Sequence, residues 1–486
     1  MPCKFSRLAL LTGASLGATL AAAPASADDL RSALLSAYKT NPALNAARDN
    51  QMAVDETVPL ARADGLPALN ATAQETEYVK KSPLNFTSPD RALAISTTLN
   101  VPIYSGGAVR NAIHAAETRV TAGRADLRGS ESGVFAQVVA AYMDVMLGEA
   151  TVRLSQTNVQ KLSVTLQATS DRFQIGDLTR TDVAQAQSRL SLAQSNLQSA
   201  EANLIASRER YLQLVGTPPE MLQSPPPLPG LPASAEEAVS TALELNPDLL
   251  AARQRAKAAG YDVSSARASR LPKLNLFADG AYVDYMGSLT SSTTLPGGIP
   301  QSATTADFGL RATIPIFQGG RPTALIKQAQ ARQGAALENE IGAERAVIAQ
   351  TRSGYSSWRA ANAIITSTQS AVDAATLSLE GVRAENSVGN RTILDILNAE
   401  QELVNAQVQL ATARRNAYVA GFSLLAAMGK AEARDLGLES GVLYDPEIHY
   451  HSAKSSLWDW GSDPTPAAKA TSNLGSKPQD GVIGKP

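Results

Sequence analysis

The chain has 486 residues, a formal net charge of −2, 5% aromatic residues and one cysteine. The balanced charge gives no basic field with which to hold nucleic acid. So few aromatics, beside abundant Ala, Gln and Ser, suit elongated helices with thin cores better than compact globular domains, and with no Gly-rich phosphate loop, nucleophile motif or Cys/His cluster neither catalysis nor a cofactor is expected.

The first residues read as an address. Lys4 and Arg7 precede an apolar run from Leu8 to Ala23, and Ala25-Ser26-Ala27 is a small-x-small cleavage site, so residues 1–27 are predicted to be a signal peptide. The competing reading, a retained anchor, is weakened because the run is too short and Ala/Gly-rich for a span of ~20 residues. Cleavage after Ala27 also removes Cys3, which suits export through an oxidising compartment. Beyond residue 27 no stretch reads as a transmembrane helix, so any membrane crossing would need strands closed into a barrel.

The chain then falls into two copies of one unit, residues 28–233 and 234–445. Ala33–Arg48 (ALLSAYKTNPALNAAR) is matched by Ala238–Arg253 (AVSTALELNPDLLAAR), an offset of 205. From Val101-Pro102-Ile103-Tyr104-Ser105-Gly106-Gly107, paired with Ile314-Pro315-Ile316-Phe317-Gln318-Gly319-Gly320, the offset is 213, and it holds to Gly216 and Gly429. Each unit reads as a helix broken at Asn-Pro, a strand pair (about 68–103 and 273–317), then a very long helical hairpin. The strands alternate: Ile95, Thr97, Leu99, Val101 and Ile103 lie on one face with Ser96, Thr98 and Asn100 on the other. Phe308, Leu310, Ala312, Ile314 and Ile316 repeat the pattern, at a length that suits a tilted membrane strand. Ile95, Leu99, Val101, Leu310 and Ile314 are the positions expected to face lipid. A soluble sheet packed on helices would alternate in the same way. Lys80–Pro89 and Gly287–Thr305 read as exposed loops.

No proline occurs between Pro102 and Pro218 or between Pro322 and Pro446, which permits helices of about 65 residues, ~100 Å long. One turn interrupts each stretch, Gly176-Asp177-Leu178-Thr179 and Gly389-Asn390-Arg391-Thr392, with the threonine placed to cap the returning helix. The return helices carry a seven-residue repeat, Val183, Ala186, Leu190, Ala193, Leu197, Ala200, Leu204 and Ile396, Ala399, Leu403, Ala406, Leu410, Ala413, so each should supercoil against a partner. Four strands cannot close a barrel and an open edge is forbidden in lipid, so several chains must pool strands; three copies give twelve.

The duplicated Asn-Pro helices, the Pro-Ile-(Tyr/Phe)-x-Gly-Gly strand exits and the Val-Gly-Asn-Arg-Thr-Ile-Leu-Asp-Ile-Leu-Asn-Ala turn together resemble the TolC family of outer-membrane efflux and secretion channels, over nearly all of Asp28 to about Tyr444. The resemblance implies a homotrimer: long helical hairpins forming a periplasmic α-barrel, below a twelve-stranded transmembrane β-barrel embedded in outer-membrane lipid. It implies a periplasmic adaptor and an inner-membrane transporter as partners, with the hairpin tips Gly176, Asp177, Leu178, Thr179, Gly389, Asn390 and Thr392 as the adaptor's docking points. It also implies a gate, in which Arg391 ties the tip to Thr181 and Asp182 while Asp395 narrows the entrance. Asn398 stands where some members carry a second aspartate and Asn386 where some carry a tyrosine, so the double acidic ring and the tyrosine latch are departures. Read from the residues alone, Asp182 and Asp395 also suit helix N-termini as dipole partners.

From Pro446 the chain turns Ser/Lys/Gly-rich, with Asp-Pro and Thr-Pro steps, and residues 446–486 are expected to be disordered, His449-x-His451 included. The competing function is a periplasmic coiled-coil adaptor or scaffold, which also has long hairpins but usually a single one.

Overall fold

A computed structural model describes residues 29–80, 89–289, 299–438, 443–461 and 464–483. The leader and most of both inter-strand loops lie outside these residues.

The first half opens with α1 (Leu30–Thr40), α2 (Pro42–Asp55) and α3 (Thr57–Ala63), followed by strands β1 (Ala68–Glu77) and β2 (Arg91–Tyr104). The hairpin α4 (Ala108–Gln174) and α5 (Arg180–Val215) completes it. The second half repeats the order with α6 (Ala235–Leu245), α7 (Pro247–Arg267), β3 (Lys273–Asp284), β4 (Ser302–Thr313), α8 (Arg321–Ser387) and α9 (Ile393–Ala427). Both α4 and α8 have 67 residues.

The Asn-Pro steps do more than interrupt a helix. Asn41 Oδ1 accepts from the Ala43 and Leu44 amides and its Nδ2 donates to Leu214 O at 3.0 Å. Asn246 caps Leu249 and donates to Ala427 O at 2.9 Å. Each asparagine thus starts one helix and holds the end of its unit's return helix, satisfying carbonyls that the helix itself cannot. The equivalent tyrosines Tyr142 and Tyr355 both donate to the linker between the units, Tyr142 Oη to Gln223 O and Tyr355 Oη to Ala233 O.

The main core lies here, between α1, α4, α5 and the end of α9. Phe135, Tyr142, Leu204, Tyr211 and Phe422 are all at most 1% exposed. Side chains of this size contribute ~1.5–3 kcal/mol each on full burial. Against the expectation of no such stretch, α4 is long and apolar enough to cross a membrane by length and composition alone. Val134, Val138, Val139 and Val145 of this helix are core residues. Farther along the rods the seam is thin: Ala186, Leu190, Ala193 and Ala200 of α5, and Ala399, Leu403, Ala406 and Leu410 of α9, are buried against their partners.

The strands form one antiparallel sheet in the order β1-β2-β3-β4. Its register aligns the alternation: Leu69 opposes Leu99, Leu99 opposes Ala278, and Ala278 opposes Phe308. Val101 opposes Leu276, and Leu276 opposes Leu310. The other face carries Asn70, Thr98, Asp279 and Asp307, with Arg311 over the Phe277 ring at 4.6 Å. On the apolar face Leu69, Phe308 and Leu310 are 68%, 85% and 64% exposed. Two expected strand positions move: β4 ends at Thr313, so Ile314 and Ile316 lie beyond it rather than within it.

The expected disordered tail is also corrected at its start. Pro446–Ser455 forms α10, capped by Asp445, with Pro446 at its first turn where the missing amide matters least. His449 Nδ1 lies 3.2 Å from buried Asp55, Arg124 pairs with Glu447, and Lys454 pairs with Glu117. Farther on, buried Arg208 bonds Asp480 and the Val482 carbonyl.

Candidate functional site

Two regions carry the candidate residues: the hairpin tips and the strand face.

At the first tip, α4 ends as Gly176 takes φ +83°, a left-handed conformation open to glycine without steric penalty. Its amide donates to Phe173 O, and the Asp177 amide to Arg172 O. The second tip repeats this with Gly389 at φ +85°, its amide on Asn386 O and the Asn390 amide on Glu385 O. This paired bonding is the Schellman termination, and the chain reverses within the five residues between the helices. Leu178 occupies the turn between Asp177 and the cap.

Thr179 and Thr392 then start the return helices with full capping boxes. Asp182 Oδ2 accepts from the Thr179 hydroxyl at 2.7 Å and its amide at 2.9 Å; Asp395 accepts from Thr392 at the same distances. The threonine hydroxyl first, then its amide, holds each carboxyl below the usual carboxylate range. Thr181 sits exposed beside Asp182 in the first turn.

The tips share a fold but carry reversed polarity. Arg172, in the last turn of α4, pairs with Asp177 in the loop at 2.7 Å. At the equivalent place α8 has Glu385, which pairs with Arg391 in the loop at 2.7 Å. The Glu385 hydrogen bond raises the affinity of the Arg391 guanidinium for its proton. The bonds expected from Arg391 to Thr181 and Asp182 are therefore not those of the single chain, where Glu385, six residues away, is the nearer carboxylate. Asn386 Nδ2 donates to Arg391 O at 2.7 Å and stitches the turn.

A joint between the two hairpins lies deeper, about nine residues into α5 and five into α9. Arg189 of α5 donates to Asn398 Oδ1 of α9 at 2.8 Å. Next to it Leu397, 1% exposed, inserts among Leu162, Leu190 and Ala193 of the first hairpin. Arg383 bonds Glu400, which is 5% exposed, tying α8 to α9 at the same level. Arg189, Leu397 and Arg383 are absent from the sequence-based set. A signal existed for Leu397: it is apolar but stands beside the seam of Ile396, Ala399 and Leu403, giving α9 a second apolar face.

On the strands, Ile95, Leu99, Val101 and Leu310 share the apolar face of the sheet. The backbone edges of β1 and β4 face no further strand among the described residues.

Comparison with known proteins agrees with this architecture. The profile of the outer membrane efflux protein family matches residues 33–217 and 238–430, one match in each half. The chain is 33% identical over 439 residues to the outer membrane efflux protein BepC of Brucella suis, covering 90% of this chain and 93% of the relative. It is 28% identical over 437 residues to the outer membrane protein TolC of Escherichia coli, covering 86% of each. The crystal structure of the Campylobacter jejuni CmeC outer membrane channel superposes with a TM-score of 0.73 at 17% identity, over 88% of this chain and 89% of that one. With both halves matched and a full-length relative at one-third identity, the chain belongs to the outer membrane efflux protein family, the TolC-like channels of the outer membrane.

Proposed function

We propose that three copies of this chain form an exit duct for drug efflux, type I protein secretion or both, working with a periplasmic adaptor and an inner-membrane transporter. The observation that carries the reading is the open four-stranded sheet with one apolar, solvent-facing side. Such a sheet is stable in lipid only if its edges pair with those of other copies. The apolar positions Ile95, Leu99, Val101 and Leu310 then meet lipid, and the face with Asp279, Asp307 and Arg311 lines the pore. The sheet and a duplicated hairpin together favour a duct over a periplasmic adaptor.

The hairpin tips form the periplasmic entrance in this reading. Gly176, Asp177, Leu178 and Thr179, with Gly389, Asn390 and Thr392, present rigid turns to the adaptor. Asp395 lines the narrowest part. Arg391, held by Glu385 of its own chain, reaches Thr181 and Asp182 of an adjacent copy. Arg189 and Asn398 hold each chain's two hairpins together.

The test is direct. Washed outer membranes should yield a heat-labile trimer, and deletion of the gene should raise drug sensitivity or remove proteins from the secreted set. A monomer found in the periplasmic fraction would overturn the proposal.

A further inference from the structure

The segment that follows α10 exposes two tryptophans and a leucine close together in sequence. Leu457, Trp458 and Trp460 are 65%, 75% and 85% exposed, although tryptophan is ordinarily well covered. The course of the chain fixes their level. Along α10, Glu447 meets Arg124 and Lys454 meets Glu117, so the helix runs back along α4 toward the start of that helix. It runs forward along α2 and α3, from His449 at Asp55 to Lys454, whose carbonyl accepts from Arg62. Both directions lead to the base of the sheet, where β1 starts at Ala68 and α4 at Ala108. Glu117 lies nine residues into α4, ~14 Å from its start at 1.5 Å per residue. The three residues from Ser455 to Trp458 reach ~10 Å when extended, which brings Trp458 to within a few ångströms of that level, with Trp460 in the turn that follows.

The chain then reverses. The Gly461 amide bonds Trp458 O, closing a turn, and the tail descends to Lys469 at Asp49 and Asn473 at Leu212, back at the waist. The two tryptophans thus stand at the apex of an excursion toward the sheet. Exposed Arg110, Arg270, Lys273 and Arg321 lie at the same base.

We propose that Leu457, Trp458 and Trp460 form an interfacial anchor in the periplasm-facing phospholipid leaflet of the outer membrane. Indole rings favour the headgroup level because one edge donates a hydrogen bond while the ring is apolar. The basic residues at the base of the sheet suit phosphate headgroups at that depth. This inference rests on the reading of the sheet as the membrane-spanning part.

The chain has three tryptophans, and the third, Trp358, packs against Tyr355 near the waist. Trimer carrying W358F, reconstituted into phosphatidylethanolamine and phosphatidylglycerol vesicles, therefore reports on the tail alone. Acyl chains brominated near the headgroup should quench its emission at least twofold, and aqueous iodide should quench it little. As a control, Phe308→Trp in a chain carrying W358F, W458S and W460S reports on the strand face. Quenched control and unquenched, iodide-accessible tail would overturn the anchor and leave the barrel reading standing. Tail emission protected from both quenchers would mean that a second copy covers the segment, and would also overturn it. An unquenched control would sink the strand-face reading and the anchor with it.

Discussion

Arg189 Nη2 and Asn398 Oδ1, 2.8 Å apart, form a direct side-chain bond between the return helices of the two hairpins. It stands about two and a half turns into α5 and one and a half into α9, beside the buried Leu397, so at this level the hairpins can separate only if the bond breaks and the leucine leaves its site. Substituting Arg189→Ala or Asn398→Ala should raise the open fraction in planar bilayers. An accessible bond of this kind is worth ~0.5–1.5 kcal/mol, a roughly two- to tenfold shift per copy. The double substitution should add nothing to the larger single effect. Full additivity in that cycle would show that the pair does not act as a unit.

Leu397→Ala should be more severe, because it leaves a void among Leu162, Leu190 and Ala193. Core Leu→Ala changes cost ~2–5 kcal/mol. Conductance should rise while thermal unfolding of the rods starts earlier. Leu197→Ala, a half-buried seam position of the same helix as Leu190, serves as the comparison. Equal effects at both would remove any special role for Leu397.

The strand register has its own test. Leu99→Arg and Leu310→Arg place a charge on the apolar face, at ~2–4 kcal/mol each near mid-bilayer. Thr98→Arg and Gly309→Arg put the same charge on the opposite face, although Gly309 also abuts the Phe277 ring. Trimer yield in outer membranes should fall for the first pair and hold for Thr98→Arg. Normal assembly with Arg at both leucines would mean the faces are reversed.

The two capping boxes predict an acid limit. Asp182 and Asp395 titrate below their unfolded range because Thr179 and Thr392 bond the ionised form. Their contribution is complete above the unfolded aspartate value of ~3.9 and fades as pH falls through the lower folded value. Amide exchange at residues 179–183 and 392–396 should therefore accelerate below about pH 4, relative to the waist. In Asp182→Asn and Asp395→Asn the acceleration should be already present at neutral pH and insensitive to acid. An acid response unchanged by both substitutions would assign it elsewhere.

Much of the architecture was legible because its signals are periodic or duplicated. The offset of 213 located both tips, and the alternation of Ile95, Leu99 and Val101 located a strand and its faces before any register was known. The bonds of Arg391 were not legible. A loop arginine six residues from Glu385 and near a capped Asp395 has several carboxylates in reach, and only the turn geometry decides among them. Arg189 escaped for a related reason: it lies off the seam, and nothing in a heptad tells which surface residue faces a second hairpin. The ordered start of the tail was hidden because α10 takes its stability from long-range ion pairs with Arg124 and Glu117 and from the contact of His449 with Asp55, and its own apolar content is small.

The unequal distribution of packing along the rods has a mechanical consequence. The large aromatic core sits at the waist and takes in Leu204 and Tyr211 of α5 and Phe422 of α9, so only the stretch of α5 from Arg180 to Leu204 extends beyond it to the tip. At 1.5 Å per residue that is an arm of ~36 Å. With the waist as fulcrum, a tilt of about 5° sweeps the tip through ~3 Å on an arm of that length. Aperture at the entrance can therefore change by more than the width of a water molecule while side chains at the fulcrum shift by fractions of an ångström, within the tolerance of a close-packed interior.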